Sequence, residues 1–197
     1  MSAVADSFLL DPADVLLLLA DLQPAIVRNS GTNPPKLIEA GAEALAQTAD
    51  VLGIPKLFSV VPEDGGPATH LPALEPHATQ ANSFTRQVAS PFMDPDFVAA
   101  LEAIGRRTLV IAGYSTETVV LFATLDAIAA GYRVVIAIDA CGARSARGED
   151  AVLRRIERAG ATVGSVIGVV MGCAPNFTSA QGKQAFPIVH QFMATRA

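Results

Sequence analysis

A chain of 197 residues that is 51% hydrophobic and only 17% charged is long enough to bury a full core and too apolar to stay disordered. Its formal charge of −5, from acidic and basic residues that do not cluster, argues against a nucleic-acid or anionic-membrane surface. Two cysteines, Cys141 and Cys173, make no disulfide framework and fit a reducing cytoplasm. The longest apolar run, Val15 to Ala20, is too short to span a bilayer. The first residues carry Asp6, Asp11 and Asp14 and no basic segment, so they do not read as a signal peptide. A single domain over 1–197 is expected.

Val15 to Ala20 reads as a central strand ending at Asp21. Pro24 to Asn29 reads as a loop or short helix. Pro34 and Pro35 can open a helix, and Leu37 to Leu52 continues it with apolar residues at helical spacing up to Gly53. Lys56 to Val61 is a second strand. Pro62 to Thr85, rich in Pro, Gly, Asn and His, reads as a long ordered loop. Asp94 is the expected N-cap of a helix running to Ile104, with Pro95 at its first position. Leu109 to Ala112 is a buried strand, Gly113-Tyr114-Ser115-Thr116 a turn, and Thr118 to Ala130 a helix closed by Gly131. Tyr132 to Ile138 is the next strand, ending at Asp139, which completes one βαβ unit. A helix follows over 147–159 with Gly160 as its cap. Thr162 to Ile167 suggests a strand interrupted by glycines, and Pro187 to Met193 a terminal helix.

Strands alternating with helices predict an α/β fold, a three-layer αβα sandwich around a mostly parallel sheet of five or six strands. Such sheets place ligands at the carboxyl ends of strands, beside helix N-termini. Gly113 to Val119 is therefore where a site is expected.

Four blocks carry a family resemblance, in order and in register. Leu16 to Gln23, LLLLADLQ, resembles a first strand whose terminal Asp is a catalytic acid/base. Arg86 to Phe92, RQVASPF, resembles K-x-x-x-[SN]-[AP]-[FW], which opens on a catalytic Lys. Leu109 to Val120 resembles a strand followed by G-x-x-T-x-x-C-V, the nucleophile block. Gly131 to Ala140 resembles G-[YF]-x-V-x-x-x-x-D-A. On these blocks, which cover roughly residues 14 to 170, the chain is identified as resembling the isochorismatase-like, or cysteine hydrolase, superfamily, with its Rossmann-like topology.

The resemblance implies a triad with two departures. Asp21 falls on the Asp, Arg86 on the Lys, and Val119 on the nucleophilic Cys. Thr118 is adjacent, but neighbouring helix residues point about 100° apart, so its hydroxyl does not replace the thiol. The family's route needs a thiolate at a helix N-terminus, a carboxylate to shuttle its proton, and a cation to hold that carboxylate. Arg86 can supply charge and paired hydrogen bonds to Asp21 but is no acid or base. The family branch of isochorismatases proper also lacks the thiol; there an Asp donates a proton and water is the nucleophile. The resemblance further implies a cis peptide between Tyr114 and Ser115 whose N–H groups face the pocket.

The remaining candidates each have a plainer reading. Gln23 either lines a pocket with Phe92, Tyr114, Ser115 and Thr118, or simply starts a loop. Phe92 is a pocket wall or core. His70, His77 and His190 show no ligand spacing, so no metal is expected. The GYSTET turn is not G-x-G-x-x-G, so no dinucleotide cofactor is expected either. Two functions fit: a thiol-independent small-molecule hydrolase using Asp21 and water, or a non-catalytic member that binds a small ligand or serves in an assembly. A tight Asp21–Arg86 pair, expected to depress the Asp21 pKa, favours binding; a separated Asp21 favours hydrolysis. A mean hydropathy of +0.39 also predicts a homo-oligomer, which hides apolar surface between subunits.

Overall fold

The structure is a computed structural model that describes residues 9–63 and 67–195. Six strands form one parallel sheet: β1 (Val15–Ala20), β2 (Lys56–Val60), β3 (Ser83–Thr85), β4 (Thr108–Tyr114), β5 (Arg133–Gly142) and β6 (Thr162–Gly164). Their order is β3-β2-β1-β4-β5-β6. The chain starts in the middle, builds outward through β2 and β3, then returns to lay β4 on the other side of β1. The crevice of a doubly wound sheet opens at such a reversal, above the carboxyl ends of β1 and β4.

Side chains of a strand alternate between faces, and here both faces are buried. Leu17, Leu19, Val110, Ala112, Val135 and Ala137 share one apolar cluster with helices α2 (Pro35–Leu52), α6 (Val166–Cys173) and α7 (Ala180–Thr195). Leu16, Leu18, Leu109, Ile111, Val134 and Ile136 pack on the other face against α3 (Pro95–Ile104), α4 (Leu121–Ala129) and α5 (Ala146–Ala159). A short α1 (Pro24–Val27) follows β1. The Asp94 side chain accepts from the Asp96 N–H at the start of α3, as the Asp-Pro pair predicts.

Several elements differ from their sequence reading. The long loop contains a 3₁₀ stretch, Pro72–His77, and the edge strand β3, whose three residues are too few to show a period. The expected strand over 162–167 stops at Gly164, and Val166–Cys173 is a helix. An apolar β-branched run looks alike in either state; here Ser165 caps Gly168 N–H, and Asp139 Oδ1 accepts from Val166 N–H at 2.6 Å. Asp139 therefore lies inside β5 rather than closing it. That strand is longer than expected because its register with β4 shifts between Ile111 and Gly113. The helix expected from Thr118 begins instead with a π-helical turn over Thr116–Val120, in which Val120 N–H reaches Ser115 O.

Gly113 is required by close approach. A Cβ there would stand 2.5 Å from Ala20 O and 3.3 Å from Ala20 C, so β1 and β4 would have to separate. Gly113→Ala should cost roughly 1–3 kcal/mol of stability as an overpacked site. A urea midpoint at fixed protein concentration that equals the parent's would contradict this.

Candidate functional site

β1 ends at the crevice, and Asp21 is the first residue beyond it. Its backbone has φ 54°, a left-handed turn that Asp tolerates better than most residues. Its N–H donates to Ser59 O at 2.7 Å, fixing the turn to β2. Arg86 follows β3 and is held to β2 through its own N–H to Val60 O at 3.0 Å. Thus edge strand β3 delivers Arg86 across β2 to Asp21 at the end of β1.

The two side chains meet in a forked pair. Arg86 Nη1 donates to Asp21 Oδ1 at 2.6 Å and Nη2 to Oδ2 at 2.7 Å. Both residues are buried, at 4% and 5% exposure, so water screens the pair little. Nη1 also donates to Ser59 Oγ at 3.1 Å, while Arg86 Nε is buried with no hydrogen-bond partner. The pairing was expected to depress the Asp21 pKa. The net direction is upward: burial penalises the carboxylate more than the hydrogen bonds and charge of Arg86 favour it.

On the other side of Asp21, the register sets Ala20 against Gly113, so the turn after β4 stands beside it. The peptide between Tyr114 and Ser115 is cis. Ser115 Oγ and Thr118 Oγ1 are 3.0 Å apart at the surface of the turn. Tyr114 is buried with its hydroxyl unpartnered, and burial raises its pKa, with Arg144 opposing and Glu117 adding to the shift. Val119 is 1% exposed and belongs to the apolar cluster of Leu18, Ala20 and Ile111. Phe92 lies at the margin of that cluster, its ring 5.8 Å from Phe97 and 6.2 Å from Tyr132.

Gln23 occupies a different position from the turn residues. Its amide is fully engaged: Oε1 accepts from Val61 N–H at 2.9 Å, and Nε2 donates to Val61 O at 3.0 Å and Glu63 Oε1 at 2.7 Å. It ties the loop after β2 to the end of β1.

Two polar residues of this region escaped sequence reasoning. Ser59, fully buried in β2, supports both partners of the ion pair. A serine inside an apolar strand was the available signal. Glu149, in α5, accepts from Thr116 Oγ1 at 2.8 Å and anchors the π-turn from behind. Nothing local in the sequence joins residues so far apart. Among the described residues, no group of three or more His, Cys, Asp or Glu is placed to hold a metal ion, and no helix is long and apolar enough to cross a membrane.

A carboxyl at the end of the central strand, a forked cation from the sheet edge and a cis-linked turn beside it form one constellation. A family model for the isochorismatase domain matches residues 15–167, which runs from β1 to the start of α6. The chain belongs to the isochorismatase family. Within that family it is similar to the probable hydrolase YcaC of Escherichia coli (strain K12), 28% identical over 165 residues that cover 81% of this chain and 77% of that one. Among solved structures, YcaC from Pseudomonas aeruginosa with hexane-2,5-diol and covalent acrylamide superposes with a TM-score of 0.89, 26% identity and coverage of 99% and 96% of the two chains. The E. coli YcaC gene product, described as an octameric hydrolase of unknown specificity, gives a TM-score of 0.83, 25% identity and 95% coverage of each chain. The isochorismatase fold expected from the four sequence blocks is thus the fold observed.

Proposed function

We propose that this protein is a small-molecule hydrolase that works without a thiol, with Asp21 as acid/base and water as nucleophile. The observation that carries the reading is the buried Asp21 carboxyl, whose proton affinity is raised by burial against the pull of Arg86. A carboxyl shifted toward neutrality can take a proton from water and return it to a leaving group. Val119 offers no atom for a covalent intermediate, which leaves water as the attacking group. Arg86 holds both carboxylate oxygens of Asp21 in its fork, so it orients Asp21 and balances its charge. The Tyr114–Ser115 peptide, Thr118 and Phe92 border the substrate, while Gln23 acts indirectly by holding the loop at Val61 and Glu63. Similarity to YcaC proteins described as hydrolases supports the reaction class and leaves the substrate open. Self-association belongs to the same reading, supported by the octameric E. coli relative and the high mean hydropathy. The free, buried Cys141 and Cys173 fit a reducing cytoplasm.

A panel of amides, N-carbamoyl compounds and vinyl ethers such as isochorismate tests the proposal. One class should be turned over, and Asp21→Asn should lower kcat at least about 100-fold, the scale of a lost general acid–base group. The second reading, a non-catalytic ligand-binding member, is favoured by the fork itself, which occupies both Asp21 oxygens at 2.6 and 2.7 Å. No turnover of any class by a folded parent would give the case to that reading.

A further inference from the structure

We propose that the exposed side of α7 is the surface through which two copies of this chain pair. The inference rests on the self-association proposed above and locates it. Isolated exposed apolar residues are ordinary, but these are grouped. Of the six large apolar side chains that stand exposed among the described residues, Phe177, Phe186 and Met193 all belong to α7 or the segment leading into it. Their exposures are 54%, 41% and 50%. The Phe177 and Phe186 rings lie 5.2 Å apart, and Phe186 and His190 lie 4.5 Å apart, edge to face. Residues 186, 190 and 193 follow one another at the i, i+4, i+7 spacing that keeps them on one side of a helix. The opposite side of α7, with Ala185, Ile188, Val189 and Phe192, is spent on the core.

Charge identifies the occupant. Between Ala159 and Thr195 the only Asp, Glu, Lys or Arg is Lys183. An anionic lipid surface or nucleic acid needs several cations, and a charged protein face needs opposite charges; α7 offers neither. A stripe of aromatic rings, methionine and uncharged polar residues has the composition of an interface centre, where charge is depleted. Around a two-fold axis each patch meets its own copy, so a patch dominated by one sign would repel itself. The nearly uncharged α7 stripe is its own complement.

The test measures the mass of the full chain by light scattering and native mass spectrometry over nanomolar to micromolar concentration. The variants are Phe186→Asp and, independently, Met193→Asp, with circular dichroism confirming the fold. Both side chains are exposed in the subunit, so the substitutions load the stripe without touching the core. The parent should run as a multiple of 20.4 kDa, and each variant should dissociate at concentrations at least about 30-fold higher, the scale of a lost interface hot spot. A parent at 20.4 kDa throughout would remove the self-association reading, and this inference with it. A parent that assembles while both folded variants keep its mass at every concentration would leave self-association standing and overturn the assignment to α7.

Discussion

Arg86→Met is expected to destabilise the protein by about 3–5 kcal/mol at pH 7, the cost of leaving a buried partner charge uncompensated. The two guanidinium hydrogen bonds, at 2.6 and 2.7 Å, serve a carboxylate that is 5% exposed and already disfavoured by burial. The sign of the pH dependence follows from that upward shift. A carboxyl whose folded pKa lies above its ordinary value near 3.8 adds stability when protonated, and that contribution is lost as pH rises through the folded pKa. Removing Arg86 removes the only named influences that lower it, so the folded pKa rises further. The deficit of Arg86→Met relative to the parent should therefore be widest at neutral pH and shrink toward pH 4. Adding Asp21→Asn, which keeps a residue tolerant of φ 54°, should restore at least about half of the loss, because no buried charge remains. Urea denaturation of the parent, both single variants and the double variant, from pH 4 to 7.5, measures the coupling. A cost below about 1 kcal/mol with no pH dependence would mean that the pair behaves like a solvated surface bridge.

The second large effect is chemical. Val119→Cys should create a thiol that is alkylated by iodoacetamide about 100-fold faster at pH 7 than either cysteine of the parent. Cys141 and Cys173 are pushed up to about 12 by burial, which leaves almost no thiolate at neutral pH. Residue 119 instead stands in the first turn after β4, where backbone N–H groups and the helix macrodipole favour an anion. A thiol held there near the ordinary range of about 8.5 carries roughly 3000 times more thiolate at pH 7, and the lower nucleophilicity of that thiolate brings the ratio to about 100. Val and Cys are close in volume, so the swap should cost on the order of 1 kcal/mol. The burial of Val119, at 1% exposure, makes this a strict test of the register. A folded variant whose new thiol is as inert as Cys141 would show that Val119 is core and does not stand at the family's nucleophile position. Amide hydrolysis is not expected to appear with the thiol, since Arg86 remains where the family resemblance implies Lys.

The sequence by itself determined the layers and the place of the crevice. Apolar runs such as Val15–Ala20 and Thr108–Tyr114 are buried on both faces, and a strand of that kind fits only between two helical layers. Asp94-Pro95, Gly53 and Gly160 marked helix ends because capping is local chemistry, decided within a few residues. The four blocks also point to Asp21, Arg86 and the Tyr114–Ser115 turn, which the structure gathers at the carboxyl ends of β1 and β4. What only the tertiary structure decided depended on partners distant in sequence. Edge strand β3 exists because β2 offers three residues of ladder, and α6 is a helix because Asp139 and Ser165 supply its first acceptors and α2 and α7 cover its sides. Gln23 could have faced a ligand as far as its type goes; Val61 and Glu63, brought back by β2, took its amide instead. The Asp21 pKa is the sharpest case. Its sign is a balance between loss of water and gain of Arg86, and burial is a property of the packed whole that no spacing of residues encodes.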